Sequence, residues 1–205
     1  ASNGARKAAK SIMAVTLASK IRACREASVL ILAALFYGRA LTATMLACLL
    51  RRMQQNLAEM GLPVRAALHP TGLYLALRQI GRDELKDAFM QETIVRVPAQ
   101  EKIVHVARHL VGRAPPDTAP AGIVFHVSRC GSTLVSQSLK RLDDLVVYAE
   151  PQPVNEILVP PHSWPRAELA GALRTLGVAF ASHAGGRYVL KLSSWNTLYC
   201  EIVAE

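Results

Sequence analysis

Six consecutive residues, Ser128-Arg129-Cys130-Gly131-Ser132-Thr133, gather the groups that hold an oxyanion. Arg129 supplies a permanent positive charge, Ser132 and Thr133 supply hydroxyl donors, and Gly131 lets the backbone come close to a ligand. With Leu134 the stretch runs from an apolar, β-rich segment into a helical one. Its backbone N–H groups and the positive end of the helix therefore converge on one spot, and that spot suits phosphate or sulfate. The same residues also suit a plain strand-to-helix turn, with Gly131 at the corner and Ser132 and Thr133 as helix caps.

The pattern departs from the loop of ATPases and kinases. In GxxxxGK[ST] a lysine follows the second glycine, whereas here Ser132 stands in that place and His126 stands where the first glycine would be. The nearest strong cation is Arg129, two residues before the glycine. Cys130 brings a cysteine phosphatase to mind, but that loop places Cys first and Arg last, the reverse of the order here. Downstream, Glu150 precedes Pro151 at the end of an apolar run. A carboxylate there can take a proton from a reacting hydroxyl or amine, or cap the next turn. Lys191 closes a further apolar run and either neutralises an anion or snorkels at a sheet edge. Ser193 and Ser194 either donate to the same anion or cap the segment that enters Trp195. His126 reads as a packed, hydrogen-bonded histidine.

The elements that would position these residues alternate. The runs 122–127, 145–148 and 188–192 read as strands, with helices over 131–142 and 165–182; Pro165 opens the second and Gly185-Gly186 follows it. Strand, helix, strand, helix, strand implies parallel pairing through right-handed crossovers, and an α/β sheet covered on both faces.

The runs FHVSRCGSTLVSQSL, VVYAEP and YVLKLSSWN, with DAFMQET at 87–93, together resemble sulfotransferases that use 3′-phosphoadenylyl sulfate, in particular a bacterial sulfotransferase-like family. The resemblance covers about residues 83–205, and the loop is its most specific part. It implies a P-loop three-layer parallel sheet. It also implies Ser128 to Leu134 as the 5′-phosphosulfate site, Glu150 as catalytic base and Lys191 as stabiliser of the sulfate or bridging oxygen. The donor would be 3′-phosphoadenylyl sulfate (PAPS), no metal would be required, and the acceptor would be a small molecule or glycan. In that family an Arg and a Ser beyond the third strand hold the 3′-phosphate. Their place would fall past Glu205, so a truncated, inactive form is expected.

The rest of the chain is less specific. Residues 1–66 read as a basic, apolar helical segment, residues 67–120 as a helical lead-in with helical stretches over 73–80, 83–96 and 100–111 and a Pro-rich linker at 112–120, and residues 121–205 as the front half of the sulfotransferase-like domain. With 205 residues, 51% hydrophobic and 19% charged, the chain is no disordered polymer and has room for one catalytic unit. Its net charge of +9 lies almost wholly in residues 1–66, where ten Lys and Arg face only Glu26 and Glu59. That excess suits a membrane surface or nucleic acid, so a non-catalytic basic protein stands beside a P-loop kinase or NTPase as an alternative. Four cysteines without CxxC spacing argue against a disulfide framework or zinc site and favour a reducing, cytoplasmic compartment.

Residues 27–50 are long enough to cross a bilayer, but Arg39 near the centre costs roughly 2.5–3.5 kcal/mol against about −0.3 to −0.6 for each Leu, Ile, Phe or Val. The sum is close to neutral, and a peripheral helix is expected. Carbonate extraction should therefore release the chain from membranes; a carbonate-resistant pellet would make 27–50 a spanning helix.

Overall fold

The structure is a computed structural model that describes residues 61–113, 118–159 and 164–205. Of the helical segment expected over residues 1–66, residues 1–60 with the apolar run 27–50 lie outside the described residues, as do the linker prolines Pro115 and Pro116; residues 62–66 are strand rather than helix. All the described residues belong to one compact unit.

Leu73, Leu75 and Leu77 recur at every second residue and are fully buried, which is the period of a strand with one face in a core. They belong to β2 (Gly72–Arg78), paired antiparallel with β1 (Leu62–His69) on one side and β3 (Glu101–Ala107) on the other. The helical lead-in expected over 67–120 is thus corrected: residues 73–80 and 100–111 contribute strands. The Leu-Ala-Leu composition had suggested helix, but the alternation of leucines decides the local structure once a core faces it. Only Val106 of β3 is buried, so that edge strand carries little pattern to read. His69-Pro70-Thr71-Gly72 is a tight hairpin in which His69 pairs with Gly72. Of the expected helix over 83–96, only α1 (Met90–Arg96) and a short 3₁₀ turn at Arg82–Glu84 form.

The second half alternates as the sequence implies. It runs β4 (Gly122–Val124), α2 (Ser132–Leu139), β5 (Leu145–Ala149), α3 (Gln152–Leu158), α4 (Arg166–Ala184), β6 (Arg187–Lys191), a 3₁₀ turn at Ser194–Tyr199, and α5 (Cys200–Val203). The strands form a parallel sheet in the order β4-β6-β5. The fold is therefore mixed α/β, with one parallel and one antiparallel sheet.

A single apolar cluster joins the halves: Leu75 and Leu77 of β2, Ile157 of α3, Phe180 of α4 and Leu190 of β6 all belong to it. Helix α4 is buried on a broad arc that includes Leu169, Ala172, Leu176, Val178 and Phe180. A helix apolar over so wide an arc is an interior element, and α4 packs on both β6 and β1. The expected linker is tied to this core, since Tyr188 donates to the Thr118 carbonyl at 2.8 Å and Ala121 N–H donates to the Tyr188 carbonyl at 2.7 Å. Among the described residues no helix is long and apolar enough to cross a membrane.

One buried polar chain crosses the core. His183 Nε2 donates to the Ile80 carbonyl at 2.8 Å, just past β2. That fixes Nδ1 of the neutral ring as acceptor, 2.7 Å from the Tyr148 hydroxyl, which also lies 3.1 Å from the Phe180 carbonyl. Burial pushes the His183 imidazole below its usual value of 6.5, and the Arg82 charge adds to this against the opposing Ile80 bond. Burial pushes the Tyr148 phenol well up. The unfolded chain thus takes a proton at His183 near pH 6.5 that the folded chain refuses, so this contribution is complete above about pH 6.5 and declines as pH falls. Denaturant melts at pH 7.5 and 5.5 should show a loss of up to about 1.4 kcal/mol per pH unit, and His183→Gln should flatten the part of the slope due to this ring. An unchanged slope in the variant would remove His183 from the account.

Candidate functional site

Register places the site. Val124 and Ala149 both stand opposite Lys191, so the three strands finish side by side and the residues just past them meet. Leu192 N–H donates to the Val124 carbonyl at 3.1 Å and Glu150 N–H to the Lys191 carbonyl at 2.6 Å, which extends the pairing one step beyond the sheet. Ligands of open parallel sheets bind at such carboxyl ends.

From β4 the chain passes through Phe125, His126 and Val127 to a turn at Ser128-Arg129 and enters α2 at Ser132. Arg129 has φ 58° and Gly131 φ 84°, both left-handed, while Cys130 between them is not. A glycine adopts this conformation freely; an arginine does so only under local constraint. Gly131 is the helix N-cap, its carbonyl accepting from Leu134 at 2.9 Å and Val135 at 3.3 Å, and no side chain caps the helix. The N–H groups of Ser132 and Thr133 therefore have no intrahelical acceptor. Ser128, Arg129, Cys130, Gly131 and Leu134 are exposed, Thr133 is half-buried and Ser132 is buried. Ser132 and Thr133 occupy the first turn of α2 and do not cap it.

Behind the loop lies a buried charge. The Lys191 side chain is 1% exposed and its ammonium donates to Oε1 of Glu150, whose side chain is 30% exposed. The Phe89 ring covers the ammonium, with Nζ 5.1 Å from its centroid. Phe89 is set there by the segment 87–96. Glu92 accepts the Phe89 N–H at 3.2 Å, and Asp87 takes Thr93 at 2.7 Å and Arg96 at 2.9 and 3.0 Å. The hydrogen bond from Arg96, then that from Thr93, holds the Asp87 carboxyl below its usual value. The Asp87 carbonyl accepts from Gln137 and Lys140 near the end of α2, so one segment fixes both Phe89 and the loop helix.

Glu150 has φ 52°, an unfavourable conformation for a glutamate, and it immediately precedes Pro151. His126 stands beside it, its side chain 9% exposed and Nε2 3.8 Å from Glu150 Oε1. Its Nδ1 lies 3.0 Å from the Val127 carbonyl and must donate to it, while Nε2 has no hydrogen-bond partner. The ring is packed, as expected, but only half satisfied.

Glu150 and Lys191 are in direct contact, and Lys191 is no snorkelling edge lysine, since it is buried on the central strand β6. Arg129, in contrast, is exposed in a turn. Ser193 caps the 3₁₀ turn in a reciprocal arrangement with Asn196, whose Oδ1 accepts Ser193 N–H at 2.8 Å, so the capping alternative is the one observed. Two further polar residues escaped notice. Asn155 Oδ1 and Asn196 Nδ2 are buried without partners, and both side chains touch Ser193, Asn155 donating to its hydroxyl at 3.1 Å. Their signal would have been the adjacency of Asn to a strand end, which is too common to single out. Among the described residues no cluster of His, Cys, Asp and Glu suits a metal ion. No family model, curated protein or solved structure matches the chain.

The pair is asymmetric in burial and so in its response to mutation. Glu150→Ala strands a buried ammonium and should cost about 3–5 kcal/mol. Lys191→Met leaves a carboxylate that water can reach and should cost a small fraction of that. Chemical denaturation of both variants checks the order; equal losses would mean that Lys191 gains water when its partner is removed.

Proposed function

We propose that this chain is a sulfotransferase, or the front portion of one, built on a three-layer P-loop sheet of which β4, β6 and β5 are the parallel core. It would move a sulfuryl group from 3′-phosphoadenylyl sulfate to a hydroxyl or amine. The observation that carries this reading is that an exposed Arg129-Gly131 turn follows one parallel strand and a buried Lys191 closes its neighbour at the same carboxyl edge. The turn offers an exposed guanidinium and unpaired N–H groups to the donor's 5′-phosphosulfate, and Lys191 offers a cation whose field is little screened by water.

In the reaction the acceptor oxygen or nitrogen attacks sulfur, its proton passes to Glu150, and the bond from sulfur to the bridging oxygen breaks. The electron pair leaves with adenosine 3′,5′-bisphosphate. Arg129, the first-turn N–H groups, Ser132, Thr133 and Lys191 would hold the phosphosulfate in line and stabilise the charge gathering on the bridging oxygen. Residues 1–66 would add no more than a peripheral membrane contact.

Arg129→Ala should weaken adenosine 3′,5′-bisphosphate at least about tenfold, the effect of losing one charge-assisted contact, with the fold unchanged because Arg129 is exposed. Isothermal calorimetry with and without Mg²⁺ reads this directly. Equal affinity in the folded variant would take the loop out of the binding site, and a Mg²⁺-dependent preference for ATP would place the chain among the nucleotide kinases or NTPases.

A further inference from the structure

Three side chains from three strand ends, His126, Glu150 and Lys191, form a chain of contacts in which one member has nowhere to go. Glu150 Oε1 is shared: it takes the Lys191 ammonium and lies 3.8 Å from His126 Nε2. Because Nδ1 of His126 is spent as a donor on the Val127 carbonyl, Nε2 of the neutral ring is a bare lone pair. A lone pair and a carboxylate oxygen cannot bond, so the gap stays open and the buried nitrogen remains unsatisfied. A proton on Nε2 would close it. Among the described residues, Glu150 is the one charged group within ion-pair reach of the ring, and Lys191 acts on it only through Glu150.

We infer that Glu150 is a two-position carboxylate: it neutralises Lys191 in the empty site and turns to His126 when an anion takes its place on the ammonium. His126 is then a positioning residue: its Nε2 takes a proton from water as Glu150 arrives and holds the carboxylate that receives the acceptor's proton. This rests on the reading of Lys191 as a ligand of the phosphosulfate. A buried ammonium holds one strong counter-ion at a time, so the arriving anion and Glu150 compete. Release frees the carboxylate at the moment the donor is seated, so that deprotonation of the acceptor waits for the donor. The proton leaves the acceptor hydroxyl or amine and binds the Glu150 oxygen that does not hold His126 Nε2–H. The proton on Nε2 comes from water, and no further reagent enters the balance. The left-handed backbone at Glu150 puts the carboxylate between the two partners without moving either strand.

The full chain with ¹⁵N-labelled histidine tests this at neutral pH. In the ligand-free protein, Nε2 of His126 should give the shift of an unprotonated nitrogen. Saturation with adenosine 3′,5′-bisphosphate should move it to the protonated value. Lys191→Met, without any ligand, should show the same protonated value, because the carboxylate has lost its other partner. Glu150→Gln keeps an oxygen for the ammonium but removes the competing charge, and it should tighten the bisphosphate by about tenfold. A bare Nε2 both in Lys191→Met and in the bisphosphate complex overturns the inference while leaving the proposed function standing. If the bisphosphate does not bind the native chain, the functional reading fails, and the Lys191→Met spectrum still decides whether Glu150 moves.

Discussion

Everything at the site depends on the parallel pairing of β6 with both of its neighbours. Since Val124 and Ala149 share one partner in Lys191, no strand overshoots another, and a turn, a carboxylate and a lysine from distant parts of the chain finish at one level. Antiparallel pairing would send alternate strand ends to opposite edges and disperse the same residues. The helices between the strands are what parallel pairing requires, because a crossover must span the sheet. The long α4 does more, filling the space between the sheets with a side-chain surface that is apolar over most of its circumference.

The two cations of the site work in different media. Arg129 stands in water, where its field is damped within about 10 Å at ordinary salt, and it suits capture and orientation. Lys191 is removed from water and cannot remain unpaired at tolerable cost, so the resting molecule supplies a carboxylate. The local strain at Glu150 and the half-satisfied ring of His126 belong to the same arrangement. Each is unfavourable alone, and the surrounding packing, from Phe89 above the ammonium to the Asp87-Arg96 cluster behind it, over-determines the geometry.

The second half of the fold could be read in the sequence because its periods are clean: β-rich apolar runs, a long helix bounded by Pro165 and Gly185, and glycines at two of the corners where φ is positive, Gly131 and Gly185. The antiparallel sheet could not be read as easily. Its central strand is built from Leu and Ala, which also favour helix, and its outer strand buries one apolar side chain, so the deciding term was a tertiary partner invisible in a local window. The site divides in the same way. The loop is a contiguous string and declares itself. The Glu150–Lys191 contact joins residues 41 positions apart, and depends on a register that no local pattern encodes. The unpaired nitrogen of His126 is further out of reach, since it follows from which ring atom the Val127 carbonyl happens to occupy.

The strand order β4-β6-β5 also dictates a sequence of events during synthesis. The central strand is the last of the three to leave the ribosome, so β4 and β5 emerge with no neighbour between them and must wait, edges unpaired, until β6 arrives and slides into the gap. The contact from Thr197 to the His126 carbonyl, spanning 71 residues at 3.1 Å, can close only after that insertion. Loop closures of this length are slow and leave apolar strand faces open meanwhile. A nascent chain of this design therefore passes through a stage in which its future binding loop is attached to a sticky, one-sided strand, and shielding by a chaperone matters most in the interval before Lys191 is made.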